Sequence, residues 1–363
     1  MLFGHGDDHY NSQKEVKINF SSNVWHGADL RTLREHLNEQ FYELTRYPEP
    51  DASSLKRLLA RCYEVEVDNL VVTNGSITAF YLLAQTWKGA KSAIAVPSFA
   101  EYEDACRLYG HEVCFFPTSC DLSALSLKGQ DFCWICNPNN PTGYLYTQKE
   151  MNQIRDLVKK YNIYLFSDEV YREFIYTGSP YISAMHLEGI EQNVILIDSF
   201  SKRYSECGIR IGTLMTKNEK VRAAVMKFCQ ARLSPPLIGQ IIAEASLDTP
   251  EEYLRSVYDE YVERRKCLID GLNRIPGVYT PIPMGAFYTV AKLPVDDTEK
   301  FAAWCLEEFS YEDATIMMAP ASGFYTTEKM GKDQVRLAYV LKKEDLQKAL
   351  IILEKALEKY NKR

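Results

Sequence analysis

Lys202 closes the run Asp198-Ser199-Phe200-Ser201-Lys202, and Arg210 follows eight residues on, inside Gly208-Ile209-Arg210-Ile211-Gly212. A lysine among small hydroxyls, with an arginine close behind, suits an amine that condenses with an aldehyde beside a bound phosphate. Taken singly, the same lysine reads as a solvated loop residue. A second group is Ser167-Asp168-Glu169-Val170-Tyr171. Its carboxylate can pair with a cationic ring nitrogen, and its phenol can bond a neighbouring ring oxygen. Side chains three apart on a regular strand face opposite ways, so Asp168 and Tyr171 converge only where the strand ends near Glu169. The plain alternative is a surface acid and a half-buried tyrosine.

Four further segments carry the same kind of promise. Asn137-Pro138-Asn139-Asn140-Pro141-Thr142-Gly143 follows the apolar run Phe132–Cys136 and must form an irregular loop at a strand end, where open α/β sheets bind ligands. Thr73-Asn74-Gly75-Ser76 sits where a strand gives way to a helix, so its amides can hold a phosphate or simply make a turn. Arg336 interrupts the apolar run Val335–Tyr339; burying it is costly unless an anion answers, and its fork matches a carboxylate or a structural salt bridge. Arg46-Tyr47-Pro48-Glu49-Pro50 is a rigid turn whose tyrosine is either a site residue or merely packed. Cys133-Trp134-Ile135-Cys136 has redox or metal spacing, but both thiols fall in a predicted buried strand and read as packing. The six histidines lack ligand spacing, so no metal is assigned.

The elements that must position these residues alternate. Strands are predicted at 70–73, 92–96, 112–116, 132–136, 163–166, 194–197 and 211–215, mostly as continuous apolar runs. Helices are predicted at 77–87, 100–109 and 147–161, the last with Thr147 as N-cap and Glu150 three residues on. Such alternation predicts a largely parallel α/β sheet. After residue 217 the pattern changes to helices at 218–231, 237–247 and 251–273, then strand runs at 286–292, 315–319 and 335–341 mixed with helices at 297–309 and 343–360. That is a second, smaller α+β region, without repeats or a low-complexity linker.

Composition sets outer limits. The 363 residues, about two domains' worth, are 46% hydrophobic and include 24 tyrosines, which disfavours disorder. With 42 basic and 49 acidic residues the net charge of −7 argues against nucleic-acid or anionic-membrane binding. No run approaches the roughly 18 apolar residues of a membrane span. The opening residues lack a basic flank and an apolar stretch, so the expected address is the cytoplasm, with ten reduced cysteines.

Together the segments NPNNPTG (137–143), SDEVY (167–171), SFSK (199–202), GIRIG (208–212) and VRLAY (335–339) resemble the fold-type I pyridoxal-phosphate enzymes, specifically the class I/II aminotransferase family, over nearly the whole chain. The resemblance implies a mostly parallel seven-stranded sheet in a large cofactor-binding α/β domain (45–250), and a smaller α+β domain formed by 1–44 and 251–363. It implies pyridoxal 5′-phosphate as cofactor. Lys202 would bond the cofactor aldehyde and then shuttle protons, and Asp168 would hold the pyridine nitrogen protonated. Tyr171 and Asn140 would bond the ring's phenolic oxygen, and Phe99 would stack on the ring. Gly75, Ser76, Ser199, Ser201 and Arg210 would cradle the phosphate. Arg336, with Asn23 nearby, would grip the substrate carboxylate, and Tyr47 matches a tyrosine that the family supplies across a homodimer interface.

Two branches are visible. His5-Gly6-Asp7-Asp8, Phe20-Ser21-Ser22-Asn23 and RYPEP (46–50) are similar to threonine-phosphate decarboxylase and histidinol-phosphate aminotransferase, whose strand before the final one carries an arginine; here that strand, Thr315–Ala319, has none, and His5 is the substitute base to consider. Pro283–Tyr288 and Met318–Tyr325 are similar to bacterial aspartate-type aminotransferases, although the usual proline after the first asparagine is replaced by Val24. The expected activity is transfer of an amino group between an L-amino acid and a 2-oxo acid. Threonine-phosphate decarboxylation is the alternative, and a catalytically silent binding protein with this fold is the non-enzyme alternative.

Overall fold

The computed structural model describes residues 16, 18–21, 30–325 and 330–363. The chain runs through β1 (Ile18–Asn19), α1 (Arg31–Glu39), α2 (Ser53–Cys62), β2 (Leu70–Thr73), α3 (Ser76–Thr86), β3 (Lys91–Val96), α4 (Glu101–Leu108) and β4 (Glu112–Pro117). It continues through β5 (Phe132–Cys136), α5 (Gln148–Tyr161), β6 (Tyr164–Asp168), β7 (Val194–Ser199), the single turn α6 (Phe200–Arg203) and β8 (Gly212–Met215). Then come α7 (Glu219–Ala231), α8 (Leu237–Ser246), α9 (Glu251–Leu272), β9 (Tyr288–Lys292), α10 (Thr298–Glu307), β10 (Ile316–Met317), β11 (Ala319–Pro320), β12 (Gln334–Ala338) and α11 (Lys343–Tyr360).

The main sheet has seven strands in the order β2-β8-β7-β6-β5-β3-β4. All pairings are parallel except those of β8, which is antiparallel to both β2 and β7. Every residue of β5 and β7 is buried, because helices cover both faces. One face packs Trp134 on Phe166, ring centres 4.0 Å apart, with Phe80 edge-on and Tyr102 tilted against Phe166. The other packs Ile135, Leu165 and Val194 against Met151, Ile154 and Val158 of α5. Each large side chain buried this way contributes about 1.5–3 kcal/mol. α5 starts where the sequence predicts: Thr147 and Glu150 exchange side-chain-to-backbone bonds as a capping box, and Asn162 ends the helix in the left-handed region.

A second sheet of three antiparallel strands, β11-β12-β9, is backed by α9 and α11. Its core joins Leu268, Phe301, Trp304, Leu337 and Leu353 to Ile18 and Phe20 from the first described segment, since β1 pairs with β10. Val170, Tyr171 and Phe174 enter the same core from the end of β6. The apolar run at 315–319 divides: β10 serves β1, whereas β11 turns to β12. α1 packs against α8. Among the described residues no helix is long and apolar enough to cross a membrane.

Candidate active site

Three strands of the main sheet deliver the site from neighbouring ends. β6 stops at Asp168, and the turn that follows bonds the amide of Arg172 to the carbonyl of Glu169. That stop satisfies the condition for Asp168 and Tyr171 to face one space. β7 stops at Ser199, whose Oγ accepts from the Ser201 amide at 3.1 Å and lies 3.0 Å from Ser201 Oγ, so the chain turns at once toward Lys202. β5 stops at Cys136 and gives way to the Asn137–Gly143 loop.

A cavity of about 280 Å³ opens above these ends. Ser76, Phe99, Asn140, Asp168, Tyr171, Ser199, Ser201, Lys202, Arg210 and Arg336 all line it. Gly75 lies just outside, at the turn into α3 with φ +76°. A β-carbon there would collide with the guanidinium of Arg210, and one on Gly212 would strike the backbone of Gly75 and Ser76. The two glycines therefore let Arg210 and the first amides of α3 close on one pocket. Arg210 itself sits in the left-handed region at φ +58°, with Nη1 donating to the Cys207 carbonyl at 2.9 Å. Asn23 and His5 lie outside the described residues. Tyr47 is 88% exposed and belongs to the surface rather than to this cavity.

Burial governs the charges. Asp168, 3% exposed, has its pKa pushed up from 3.8 to about 6 by desolvation, opposed by a 2.5 Å bond from the Tyr102 hydroxyl and one from the Val170 amide. Burial likewise lowers the pKa of Lys202, and the neighbouring Arg336 and Arg210 push it the same way. Its Nζ lies 6.0 Å from the centre of the Tyr171 ring. Tyr171 is raised well above the ordinary phenol value, first by burial and then by Tyr288, whose hydroxyl is 3.0 Å away. Behind the cavity, Arg172 pairs with Asp198 at 3.0 Å, and Asp198 accepts from the Ser199 amide.

Arg336 occupies the central strand of the small sheet and is 3% exposed. Its Nη1 donates to Asn140 Oδ1 at 3.1 Å and its Nη2 to the Ser21 carbonyl at 3.4 Å. Tyr288 and Phe324 flank its guanidinium at 4.6 and 5.0 Å. Its Nε, fully buried, has no hydrogen-bond partner, and among the described residues no carboxylate pairs with it. Among the described residues a structural salt bridge is thus not what holds it, and the cavity is lined by a guanidinium that no carboxylate answers.

The sequence assigns no site role to Tyr102, Tyr288, Ser21 or Cys207, although Ser21 and Tyr288 lie in segments quoted for the resemblance. Tyr102 stands in the first turn of α4, just after Phe99, and the two ring centres are 5.8 Å apart. Tyr288 and Ser21 act across the fold and have no local signature. Cys133 and Cys136 lie in β5, both buried, and Cys136 also reaches the cavity wall.

The sequence profile of the family described as "Aminotransferase class I and II" matches residues 15–353. An aspartate aminotransferase of Pyrococcus horikoshii is 28% identical over 310 residues, covering 81% of this chain and 77% of that one. A valine–pyruvate aminotransferase of Mycobacterium tuberculosis is 30% identical over 302 residues, covering 79% and 75%. Among solved structures, the L-threonine-O-3-phosphate decarboxylase of Porphyromonas gingivalis superposes with a TM-score of 0.77 at 31% identity, covering 95% of this chain and all of that one.

Proposed function

The chain belongs to the class I and II aminotransferase family, and from that premise we propose the roles of its own residues in a pyridoxal-phosphate-dependent transaminase. The activity is transfer of an amino group between an amino acid and a 2-oxo acid. The donor set fits the cofactor: a glycine notch filled by Arg210, serine hydroxyls at 199 and 201 beside the amides of α3, and a buried carboxylate at the far end of the cavity. The observation that carries the reading is the convergence of Lys202, Asp168 and Arg336 on one cavity.

Bound there, pyridoxal 5′-phosphate supplies an aldehyde and an electron-withdrawing ring. Lys202 meets it as an amine that burial keeps easily neutral, which suits both nucleophile and proton acceptor. Asp168 sets a negative charge against the ring nitrogen. Tyr171 and Asn140 donate at the phenolic oxygen, and Phe99 covers the ring. Arg336 takes the substrate carboxylate from the cavity wall as a planar cation with no carboxylate partner of its own among the described residues. Asn23 is assigned beside that carboxylate.

We assign residues 45–250 to the cofactor-holding unit and residues 1–44 with 251–363 to the smaller unit; a core that joins Ile18 and Phe20 to residues after 251 supports the division, with Val170, Tyr171 and Phe174 reaching into it from the larger unit. A homodimer supplying Tyr47 to the partner's cavity agrees with that residue's exposure and with exposed Phe41, Tyr42 and Leu44 on the same segment. Ten unpaired cysteines agree with a cytoplasmic address.

Decarboxylation is a second reading because one observation favours it: the Porphyromonas gingivalis decarboxylase matches this chain over its full length. Against it, Ile316 and Met317 of β10 bring no cation to a substrate phosphate. Incubating the cofactor-loaded protein with single amino acids and with O-phosphothreonine, while measuring oxo acid and CO₂, tests the proposal. Oxo acid without CO₂ is expected, with borohydride trapping the cofactor on Lys202 and Lys202→Ala abolishing both. Release of CO₂ without oxo acid overturns the transaminase assignment.

A further inference from the structure

Tyr288 opens β9, is completely buried and does not itself line the cavity. Its hydroxyl stands 3.0 Å from that of Tyr171. Its ring carries Arg336, whose guanidinium carbon lies 4.6 Å from the ring centre. One side chain from the small sheet thus touches both the phenol assigned to the cofactor oxygen and the cation assigned to the substrate carboxylate. Packing alone would be served by phenylalanine, as at the neighbouring Phe287. A hydroxyl buried so deeply is costly unless it is hydrogen-bonded, and here Tyr171 is its partner.

We propose that Tyr288 is a positioning residue that couples the two halves of the site, holding Tyr171 through its hydroxyl and Arg336 through its ring face. The proposal rests on the cofactor assignment above. A tyrosine hydroxyl has one proton to give. If Tyr171 donates to the ring oxygen of the cofactor, it must accept from Tyr288, so the pair forms a directed chain from the small sheet into the cavity. A donor that itself accepts a hydrogen bond is the stronger donor. The chain therefore favours the anionic form of the cofactor oxygen and keeps the pH midpoint of the bound cofactor's visible absorption low. The titratable groups around the pair are Cys136 and Arg336 beside Tyr171, Lys202 over its ring, and Tyr261 and Tyr339 near Tyr288. The ring face acts separately: it holds the guanidinium edge toward Asn140 and the incoming carboxylate, at a value of about thirtyfold in binding for a buried cation–π pair.

The two couplings separate in the cofactor-loaded protein by comparing Tyr288→Phe and Tyr288→Leu with wild type and with Tyr171→Phe. Tyr288→Phe is expected to raise the absorption midpoint by a few tenths of a pH unit, less than Tyr171→Phe does, and to leave the KM of the amino donor within about twofold. Tyr288→Leu is expected to add a rise of about thirtyfold in that KM. A midpoint in Tyr288→Phe equal to wild type overturns the proposal, and so does a folded Tyr288→Leu with an unchanged KM. Should Tyr288→Leu fail to fold, the Tyr288→Phe midpoint decides alone. A wild-type protein that shows no visible band with pyridoxal phosphate overturns the cofactor assignment itself, an outcome distinct from an unshifted midpoint.

Discussion

Asp168 shows how far a single side chain can depart from its ordinary chemistry for the sake of a ligand. With its pKa raised from 3.8 to about 6, the folded cofactor-free protein holds a proton between those values that the unfolded chain has released. Stability therefore falls as pH rises through that window, and above it the ionised carboxylate costs about 3 kcal/mol. We expect cofactor-free Asp168→Asn to unfold at higher temperature than wild type at pH 8, by the equivalent of about 1–2 kcal/mol, because part of the gain is lost in the bond from Tyr102. Near pH 4 the advantage should vanish. Thermal melts at the two pH values check this; a variant no more stable at pH 8 contradicts it. The same substitution should lower turnover of the loaded enzyme about 10²–10³-fold if, as proposed, the lost charge faces the ring nitrogen.

At the scale of elements, the turn from β2 into α3 and the return into β8 act as one device, because Gly75, Arg210 and Gly212 touch. Gly75→Ala adds a β-carbon to a backbone at φ +76° and displaces the Arg210 guanidinium. Gly89→Ala, at φ +79° with open space around it, has the strain without the collision. Both should destabilise the fold by about 1–2 kcal/mol, but only Gly75→Ala should weaken cofactor binding, by about tenfold or more in a spectroscopic titration. Equal affinities in the two variants would show that Arg210 is not part of the phosphate cradle. Much of this level is legible in the sequence. Continuous apolar runs mark β5, β6 and β7, and the helix expected at 343–360 matches α11 residue for residue. Other parts depend on partners that no local pattern names. β8 runs antiparallel to both β2 and β7, with Thr73 facing Gly212, a direction that its own residues do not declare. The division of 315–319 between two sheets is decided by β1, which arrives from some three hundred residues earlier. α1 carries Leu33 and Leu37 on one half-buried stripe against α8, a helical signal that the expected elements omit. Tyr102 meets Asp168, and Tyr288 meets Tyr171 and Arg336, only once the chain is folded.

For the whole molecule, the segment from Leu30 to Tyr47 leaves Leu30, Phe41, Tyr42 and Tyr47 exposed. We expect a dimer in sedimentation equilibrium, converted to an inactive monomer by Phe41→Glu combined with Tyr42→Glu, while Tyr47→Phe keeps the dimer mass and weakens cofactor binding severalfold. A monomeric wild type with full activity would refute the shared site. The opposite flank of the main sheet closes off another route to assembly. Its outermost strand, β4, alternates wet and half-buried residues, carries Glu112 bridged to Lys91 at 2.8 Å, and ends at Pro117. Charge at one end and a missing amide proton at the other blunt that border. The molecule should therefore stay in solution when crowded with its own kind, refusing the ribbon-to-ribbon growth by which β-rich proteins form fibrils.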